Sequence, residues 1–346
     1  MNPPNNAADA APIRVGLVAD GESAPALAAA IRACPDFELP AIAVAGDSVE
    51  APDSVARYDD ARALLAQAGV RAVVLGVSPR QCAELARLAL ARNIAVWMPP
   101  PAAREFAEAI ELFDRALEAR TPLRIGSWWE LVRDDVRALL RKDESFKASF
   151  SELWVSTAGP PLHSWRSSLV DAGGGVLLSD AHDLLEALVA VRGLPENVSA
   201  AIGRCRRRRN EAPRETEDLA TVILRYSSGQ AAWLRATWDL PPYEQRLWHH
   251  GAARSVWHDM RQARLCEAGG EIVEERALPG DYPAADLRRF AREIRGLATP
   301  EELEATRERQ LAVAALIETI YLSTRTGQPE SPRQRFEVSG RREPRL

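Results

Sequence analysis

The chain has 346 residues, enough for two domains that each bury a core of their own. Its composition, 46% hydrophobic and 27% charged with a net charge of −5, is typical of soluble globular proteins and disfavours a nucleic-acid binder. The four cysteines have no CxxC spacing, so neither a zinc site nor a disulfide framework is expected. We find no signal peptide and no run of the roughly 18 apolar residues that span a bilayer. These features predict a cytoplasmic protein without membrane contact.

The first part of the chain alternates short apolar runs with helical patterns. Strands are predicted at 13–19, 37–45, 72–77 and 94–97, with helices at 23–34, 61–68 and 81–92 between them. Strands separated by helices of this length pair in parallel through right-handed crossovers. We therefore predict a Rossmann-type α/β domain over 13–122, after a disordered tail at 1–12.

The pattern changes after Arg120. An amphipathic helix near 132–140 is followed by a strand at 150–155, by three glycines at 173–175 and by a helix over about 179–191. Successive strands then run from 197 to 275, with the clearest hairpin at 219–238, and a long helix ends at Gly327. The pattern predicts an α+β domain with an open, mainly antiparallel sheet over 123–329, and a polar, loosely held tail at 330–346.

Five segments carry a resemblance to a known family. They are IRVGLVADGESAPALAAAIRACPDFEL, VVLGVSPRQCAELARLALARNIAVWMPPPAA, SWRSSLVDAGGGVLLSDAHDLLEALVAVRGLPENVSA, ETEDLATVILRYSSGQAAWLRATW and DYPAADLRRFAREI. In this order they resemble the glucose–fructose oxidoreductase and inositol dehydrogenase family, Gfo/Idh/MocA, over 13–329. The resemblance implies NAD(P)-dependent hydride transfer on a sugar or cyclic polyol-like substrate. It also implies that the second domain binds substrate and forms a homo-oligomer through its sheet.

The phosphate-binding turn of the family is altered here. Its glycine positions match Ala19, Gly21 and Ala24, of which Gly21 keeps the middle glycine. Ala19 brings a Cβ where the first glycine makes the tight turn, and Asp20 adds a carboxylate near the expected pyrophosphate. Two interpretations stay open: a nucleotide-binding turn, or a turn that only joins a strand to a helix.

The resemblance assigns binding of NAD or NADP to six positions. They are Gly21, Ser23, Asp47, Ser78, Pro79 and Pro100. Asp47 would accept the ribose hydroxyls, unless it is an ordinary surface aspartate.

The family's Glu-Lys-Pro motif is replaced by Met98-Pro99-Pro100, so Pro99 stands where a lysine assists proton transfer. Proline has no ionisable group and cannot act as a general acid or base. The chain is therefore either an enzyme that moves the proton with another residue, or a catalytically inert paralogue that binds a ligand or serves as a scaffold.

His182 and Asp183 are the predicted catalytic residues. The family has an Asp and, four residues later, a His. Counted from the glycines, Ser179 and Asp183 take these places; with a one-residue deletion, His182-Asp183 match a common His-Asp pair. Asp180 and His182 are two residues apart, which places them on different faces of a helix. His182 either does acid–base work or packs near the helix start.

Trp165 and Arg166 resemble the family's substrate-side loop, and an arginine beside an aromatic ring can hold a hydroxylated or carboxylated ligand. A basic run at 204–209 is interpreted as a solvated loop that pairs with the acidic residues after it, the alternative being contact with phosphates or an acidic partner.

Adjacent residues of a strand point to opposite faces, which disfavours a metal shared by His249 and His250, although His258 could join one of them across a hairpin. Trp233 and Trp238 are likewise predicted on opposite faces, because they are an odd number of residues apart on one strand.

Overall fold

The computed structural model describes residues 11–44, 54–142, 148–204, 214–227 and 229–344. Most of the predicted N-terminal tail, Asp47 and most of the basic run lie outside these ranges. The chain forms two compact units. One contains Met1–Ala102, Ile110–Ser127 and Asp281–Glu304; the other contains Ala103–Ala109, Trp128–Gly280 and Ala305–Leu346. The first unit thus includes a late segment, 281–304, in addition to the N-terminal residues.

The elements follow in chain order. The first ten are β1 (Ile13–Ala19), α1 (Ala24–Arg32), β2 (Phe37–Val44), β3 (Ala56–Arg57), α2 (Ala61–Gln67), β4 (Ala72–Gly76), α3 (Pro79–Leu90), β5 (Ala95–Met98), α4 (Phe106–Ala119) and β6 (Leu123–Ile125). Next come α5 (Trp129–Leu140), β7 (Phe150–Thr157), α6 (Leu169–Ala172), α7 (Val176–Ser179), α8 (His182–Arg192), β8 (Asn197–Gly203), β9 (Leu219–Arg225) and β10 (Ala231–Trp238). The last are β11 (Glu244–His250), β12 (Arg254–Asp259), β13 (Gln262–Glu267), β14 (Ile272–Ala277), α9 (Ala284–Ile294), α10 (Pro300–Thr326) and α11 (Pro332–Val338).

The sheet of the first unit is parallel, in the order β3-β2-β1-β4-β5-β6. Val15, Leu17 and Val74 are fully buried in it, and α1 covers it with Leu27 and Ile31. The order runs outward in one direction from β1 and in the other from β4, so the sheet is doubly wound with its reversal between these two strands. The predicted Rossmann-type architecture is confirmed.

The sheet of the second unit has eight strands in the order β14-β13-β12-β11-β7-β10-β9-β8. β7 and β10 pair in parallel, and the other neighbours are antiparallel. Helix α5 packs on β12 and β13, α7 on β9 and β10, and α8 on β11. The predicted open, mainly antiparallel sheet is therefore also confirmed.

Two local predictions need correction. The helix predicted over about 179–191 is present but begins three residues later, because α7 ends at Ser179 and α8 begins at His182. The tail predicted to be loosely held contains α11. Phe336 on α11 is 2% exposed, and its ring lies edge-on to that of Phe106 at 5.0 Å between centroids. Pro332 on the same helix is buried as well, so apolar contacts hold a segment whose other residues are mostly polar.

Candidate functional site

The turn between β1 and α1, where phosphate-binding residues are predicted, is held by Asp20. Its Oδ1 accepts hydrogen bonds from the backbone N–H of Glu22 at 3.1 Å and of Ser23 at 2.7 Å. The N–H of Asp20 donates to the carbonyl of Gly76 on β4 at 2.9 Å. Glu22 and Ser23 precede α1, so the Asp20 side chain bonds the backbone of the turn that leads into the helix. Gly21 is exposed in this turn and Ser23 is half-buried.

Close packing of α1 on the sheet depends on Gly76, the last residue of β4. A Cβ at this position would collide with Cδ1 of Leu27 and lie 3.2 Å from the Cβ atoms of Ala19 and Ser23. Ala24 at the start of the helix is fully buried. The small residues on both elements let the first turn of α1 reach the strand reversal, which is the role of close-packing glycines in dinucleotide-binding turns.

The predicted cofactor residues after β4 serve the start of α3. The Oγ of Ser78 accepts a hydrogen bond from the N–H of Gln81 at 3.3 Å and donates to its Oε1 at 3.1 Å. Ser78 is 1% exposed, and Pro79 is buried at the first helical position. Pro100 is half-buried after β5. The geometry therefore gives Ser78 and Pro79 a helix-capping role, and their contact with a cofactor stays a prediction.

At the end of β5, Met98 is fully buried and its carbonyl accepts the N–H of Gly126 at 2.8 Å. Pro99 follows directly and is half-buried. Its ring cannot gain or lose a proton, so the position of the family's lysine carries no acid–base group.

A buried charge cluster that sequence reasoning missed fixes α9 to the sheet of the first unit. The Nε of Arg124 donates to Asp286 at 3.0 Å, its Nη2 bonds the second oxygen of the same carboxylate, and its Nη1 donates to Glu293 at 2.5 Å. The indole N–H of Trp97 also donates to Asp286, at 2.8 Å. Arg124 and Asp286 are 3% and 0% exposed. The sequence did contain a signal for this cluster. Asp286 is an acidic residue on the buried stripe of α9, and a buried carboxylate requires a partner.

In the second unit, Glu217 shapes the glycine run at 173–175. Its carboxylate accepts the N–H of Gly175 at 2.8 Å, the N–H of Leu177 at 3.2 Å and the hydroxyl of Tyr321 at 2.9 Å. A Cβ on Gly175 would collide with the carbonyl of Glu217, and one on the preceding glycine with the hydroxyl of Tyr321. Burial raises the pKa of Glu217, while these hydrogen bonds act to lower it. Glycine is thus required at these two positions because neighbouring groups pack directly on the backbone and leave no room for a Cβ.

Asp180, at the break between α7 and α8, is the centre of a polar cluster. Its Oδ2 accepts hydrogen bonds from the hydroxyl of Thr157 at 3.0 Å and from the indole N–H of Trp238. Its Oδ1 lies 3.9 Å from Nη1 of Arg166, and its carbonyl accepts from Nε2 of Gln245 at 3.3 Å. Sequence reasoning placed Asp180 on a continuous helix and missed this role. The break after α7 puts its carboxylate at the ends of β7 and β10.

The predicted substrate residues are neighbours, and of the two only Trp165 lines a cavity. Trp165 lines a surface cavity of about 430 Å³ together with polar side chains that include Ser168, Asp171 and Arg214. Arg166 instead approaches the Asp180 cluster, with its guanidinium 5.6 Å from the centroid of the Trp165 ring. The cavity has the volume of small-molecule sites, which run from about 300 to 1,000 Å³.

The predicted catalytic pair, His182 and Asp183, opens α8. The Nδ1 of His182 lies 4.0 Å from Oδ1 of Asp183. No side chain or backbone group in the described part of the chain bonds to this Nδ1. The side chain of His182 is 2% exposed and that of Asp183 is 26% exposed. Burial lowers the pKa of His182 to about 4, so its imidazole is neutral near pH 7. Asp183 is the member of the pair that solvent reaches.

Arg309 joins two carboxylates close to this pair. Its Nε donates to Oε1 of Glu186 at 2.8 Å, and its Nη2 bonds Glu130; none of these side chains is more than 8% exposed. The ligand atoms of His182, Asp183 and Glu186 lie within 4.8 Å of one another, a spacing that can hold a metal ion. Because Arg309 already neutralises Glu186, a cation would have to compete with the guanidinium.

His249 and His250 point to opposite faces of the sheet, as predicted. His249 is 0% exposed and its Nδ1 lies 3.0 Å from Oγ of Ser151, whereas the ring of His250 stacks on Trp248 at 5.4 Å. His258 lies beside His249, 6.1 Å between ring centroids. Burial lowers the pKa of His258 to about 4. Burial, and after it the electrostatic influence of His258 and Arg192, hold the pKa of His249 well below its usual value.

The face of the second sheet opposite to α5 and α8 carries four half-buried tryptophans, which we call the outer aromatic face. They are Trp154, Trp233, Trp248 and Trp257. Trp154 contacts Trp233, and Trp248 contacts Trp257, each pair at 6.0 Å between centroids. Trp238 is 1% exposed on the opposite side of β10 from Trp233, as its odd spacing predicts.

Comparison with known proteins identifies the central part of this unit. Residues 136–256 match the profile of the GFO/IDH/MocA C-terminal domain family. Over these residues the second unit is therefore similar to GFO/IDH/MocA C-terminal domains. The resemblance found in the sequence is confirmed by this match. No curated protein matches the chain in sequence.

Solved structures of oxidoreductases share the fold along most of the chain. A proposed NADPH-dependent oxidoreductase from Desulfitobacterium hafniense is 16% identical, with a TM-score of 0.76 over 93% of this chain and 98% of its own. The WlbA dehydrogenase from Bordetella pertussis, solved with NADH and UDP-GlcNAcA, is 20% identical, with a TM-score of 0.72 over 93% and 98%. A 3-ketoreductase from Actinomadura kijaniata, solved with TDP-benzene and NADP, is 22% identical, with a TM-score of 0.76 over 89% and 98%. At these identities the likeness shows the fold.

Among the described residues, none of the helices combines the length and the apolar character that a membrane span requires.

Proposed function

We propose that this protein is a nicotinamide-dependent oxidoreductase of the Gfo/Idh/MocA type that acts on a sugar or cyclic polyol-like substrate. One observation carries the proposal: the family domain at 136–256 occurs with a doubly wound sheet whose strand order reverses between β1 and β4. Doubly wound sheets bind ligands at such a reversal. Solved structures of the same fold contain NADH with UDP-GlcNAcA, or NADP, which supports the same ligand classes here.

The first unit fits a dinucleotide in its packing, because the small residues at the start of α1 and the end of β4 keep the turn close to the sheet. Gly21 and Ser23 would hold the pyrophosphate, and Ser78, Pro79 and Pro100 would line the rest of the cofactor site, whether for NAD or for NADP. The bound cofactor supplies the hydride donor or acceptor.

In the second unit, the cavity beside Trp165 would take the substrate, and Arg166, whose guanidinium lies 5.6 Å from the Trp165 ring centroid, would bind a hydroxyl or carboxylate group that extends from the cavity. Asp180 orients Arg166 through their 3.9 Å approach. Proton transfer falls to Asp183, because Pro99 has replaced the lysine and Asp183 is the exposed partner of His182. The neutral imidazole of His182 would keep one ring proton next to the Asp183 carboxylate.

A second candidate function is that of a catalytically inert protein that binds a ligand or serves as a scaffold. Two observations favour it: Pro99 carries no acid–base group, and His182 is 2% exposed. The fold and the substrate cavity would be kept, without turnover.

We further propose that the protein is a homo-oligomer that pairs through the outer aromatic face. Half-buried tryptophans with arginines stacked on them, such as Arg235 at 4.3 Å from the Trp154 ring centroid, have the composition of protein interfaces.

Calorimetric titration with NADH and NADPH, followed by a turnover screen on sugars, sugar acids and cyclic polyols, tests the function. Saturable binding with turnover of at least one substrate supports the oxidoreductase. Asp183→Asn should then lower kcat about 100-fold, the scale of general acid–base catalysis. Glu337→Gln, an exposed residue on α11, should leave kcat unchanged.

Binding without turnover across the whole screen would favour the inert alternative. Neither binding nor turnover at millimolar cofactor would contradict both the cofactor and the reaction.

A further inference from the structure

Asp20 occupies the part of the turn that an anionic ligand would use. Its Oδ1 accepts the N–H groups of Glu22 at 3.1 Å and Ser23 at 2.7 Å. The position of Asp20 is fixed, since its own N–H bonds the carbonyl of Gly76 and its carbonyl accepts the N–H of Ala24 at 3.0 Å. The carboxylate therefore belongs to a hydrogen-bonded turn rather than to a freely rotating surface side chain.

The two amides are the donors that a pyrophosphate needs. At the start of a helix after a β-strand, free N–H groups and the positive end of the helix dipole together bind phosphate oxygens. In this chain the same donors already bond an internal anion. A pyrophosphate at the turn would have to displace the carboxylate, and it would then lie beside a like charge.

The field of the Asp20 carboxylate reaches the neighbouring helix α3 as well. Burial raises the pKa of Cys82 to about 12, and the charge of Asp20 acts in the same direction. Cys82 is the fourth residue of α3, next to the predicted cofactor positions Ser78 and Pro79.

We propose that Asp20 is the affinity-determining residue of the cofactor site: an internal anion that holds the pyrophosphate-binding amides and weakens the binding of any nicotinamide dinucleotide. The inference rests on the proposed function, since it concerns the same site. The proposal explains why this turn packs like a dinucleotide-binding turn although its N–H donors already bond the Asp20 carboxylate.

The test is calorimetric titration of the wild-type protein and of Asp20→Asn with NADH and NADPH. Asparagine can still accept both N–H bonds through Oδ1, so the turn keeps its cap while the charge is removed. We expect the Kd for NADH and NADPH to fall at least about tenfold, the scale expected from removal of one like charge at close range. Adenosine, which has no phosphate, should show no such change.

Asp60→Asn is the matched control. Asp60 caps α2 by accepting the N–H of Arg62 at 3.1 Å, in the same unit but beside β3, at the edge of the sheet. This substitution should leave the Kd for NADH unchanged. If Asp20→Asn does not fold, as judged by its melting temperature, Asp20→Ser provides a neutral cap for the same titration.

Equal Kd values for wild type and the Asp20 variants would overturn the inference and leave the proposed function standing, because both proteins would bind the cofactor. Absence of binding by the wild type and by every folded Asp20 variant would overturn the inference and the cofactor assignment together.

Discussion

Glu217 caps the short helix that follows Gly175, whose N–H donates to its carboxylate at 2.8 Å. The side chain of Glu217 is 6% exposed and also accepts the hydroxyl of Tyr321 on α10. One carboxylate therefore joins the glycine run to a helix more than a hundred residues away in sequence. A buried acceptor that loses its donors costs free energy. We therefore expect the hydrogen bonds of Glu217 to contribute strongly to the stability of this region.

Glu217→Gln should lower the free energy of unfolding by about 1–3 kcal/mol, since an amide NH₂ would face N–H donors in place of one carboxylate oxygen. Urea unfolding followed by circular dichroism measures the loss. The control is Glu215→Gln, an exposed residue whose Oε2 accepts the N–H of Leu169 at 2.9 Å. Equal losses in the two variants would contradict the role of Glu217.

Arg309→Met should lower the free energy of unfolding by about 3–5 kcal/mol, because two buried carboxylates, Glu130 and Glu186, would lose their shared cation. The same unfolding experiment measures it. Arg325→Met, at an exposed position of the same helix, should cost less than about 0.5 kcal/mol. A loss below 1 kcal/mol for Arg309→Met would show that the carboxylates are accommodated without it.

Periodicity was sufficient to predict most strands of the two sheets, although it missed the short strands β3 and β6. In β9, Ala220, Val222 and Leu224 are buried and the residues between them are not, which is the period-two pattern that the sequence displays. The helix over about 179–191 was predicted to begin too early, since no proline or glycine separates α7 from α8. The strands and helices can therefore be predicted from the hydrophobic pattern, whereas a break between two helices cannot when no proline or glycine marks it.

The site could be predicted only in part. The sequence showed that Asp20 adds a charge to the turn, because that follows from one residue and a known spacing. It could not show that Glu217 caps the helix after Gly175, which lies 42 residues earlier in the chain. The role of Asp180 was missed for the same reason: its partners Thr157 and Trp238 come from two strands that meet only in the folded sheet.

Acid should destabilise the protein through its buried histidines. In the folded state the pKa of His258 is lowered from 6.5 to about 4 by burial. Between these values the unfolded state binds more protons, so stability is complete above pH 6.5 and is lost as the pH falls towards about 4. His182 has the same window, and each group contributes a slope of at most about 1.4 kcal/mol per pH unit.

His258→Phe should make this slope shallower, since both ring nitrogens of His258 lack hydrogen-bond partners in the described part of the chain and a phenyl ring can pack against Trp128. Urea unfolding at a series of pH values from 7 down to about 4.5 measures the slope. His163→Gln, at an exposed position, should leave it unchanged. An identical slope for His258→Phe and wild type would show that His258 does not drive the acid sensitivity.

The outer aromatic face should join copies of the chain. Trp248 lies on β11, with its ring stacked on His250 and in contact with Trp257, so a carboxylate at this position would place a charge in the middle of an aromatic surface. Light scattering should give wild type a multiple of the 38.0 kDa chain mass and Trp248→Asp the mass of one chain. Val338→Asp, 81% exposed on α11, should keep the wild-type mass. A single-chain mass for wild type at micromolar concentration would contradict the interface. It would mean that the four tryptophans of this face stay in contact with water and are not buried against a second copy.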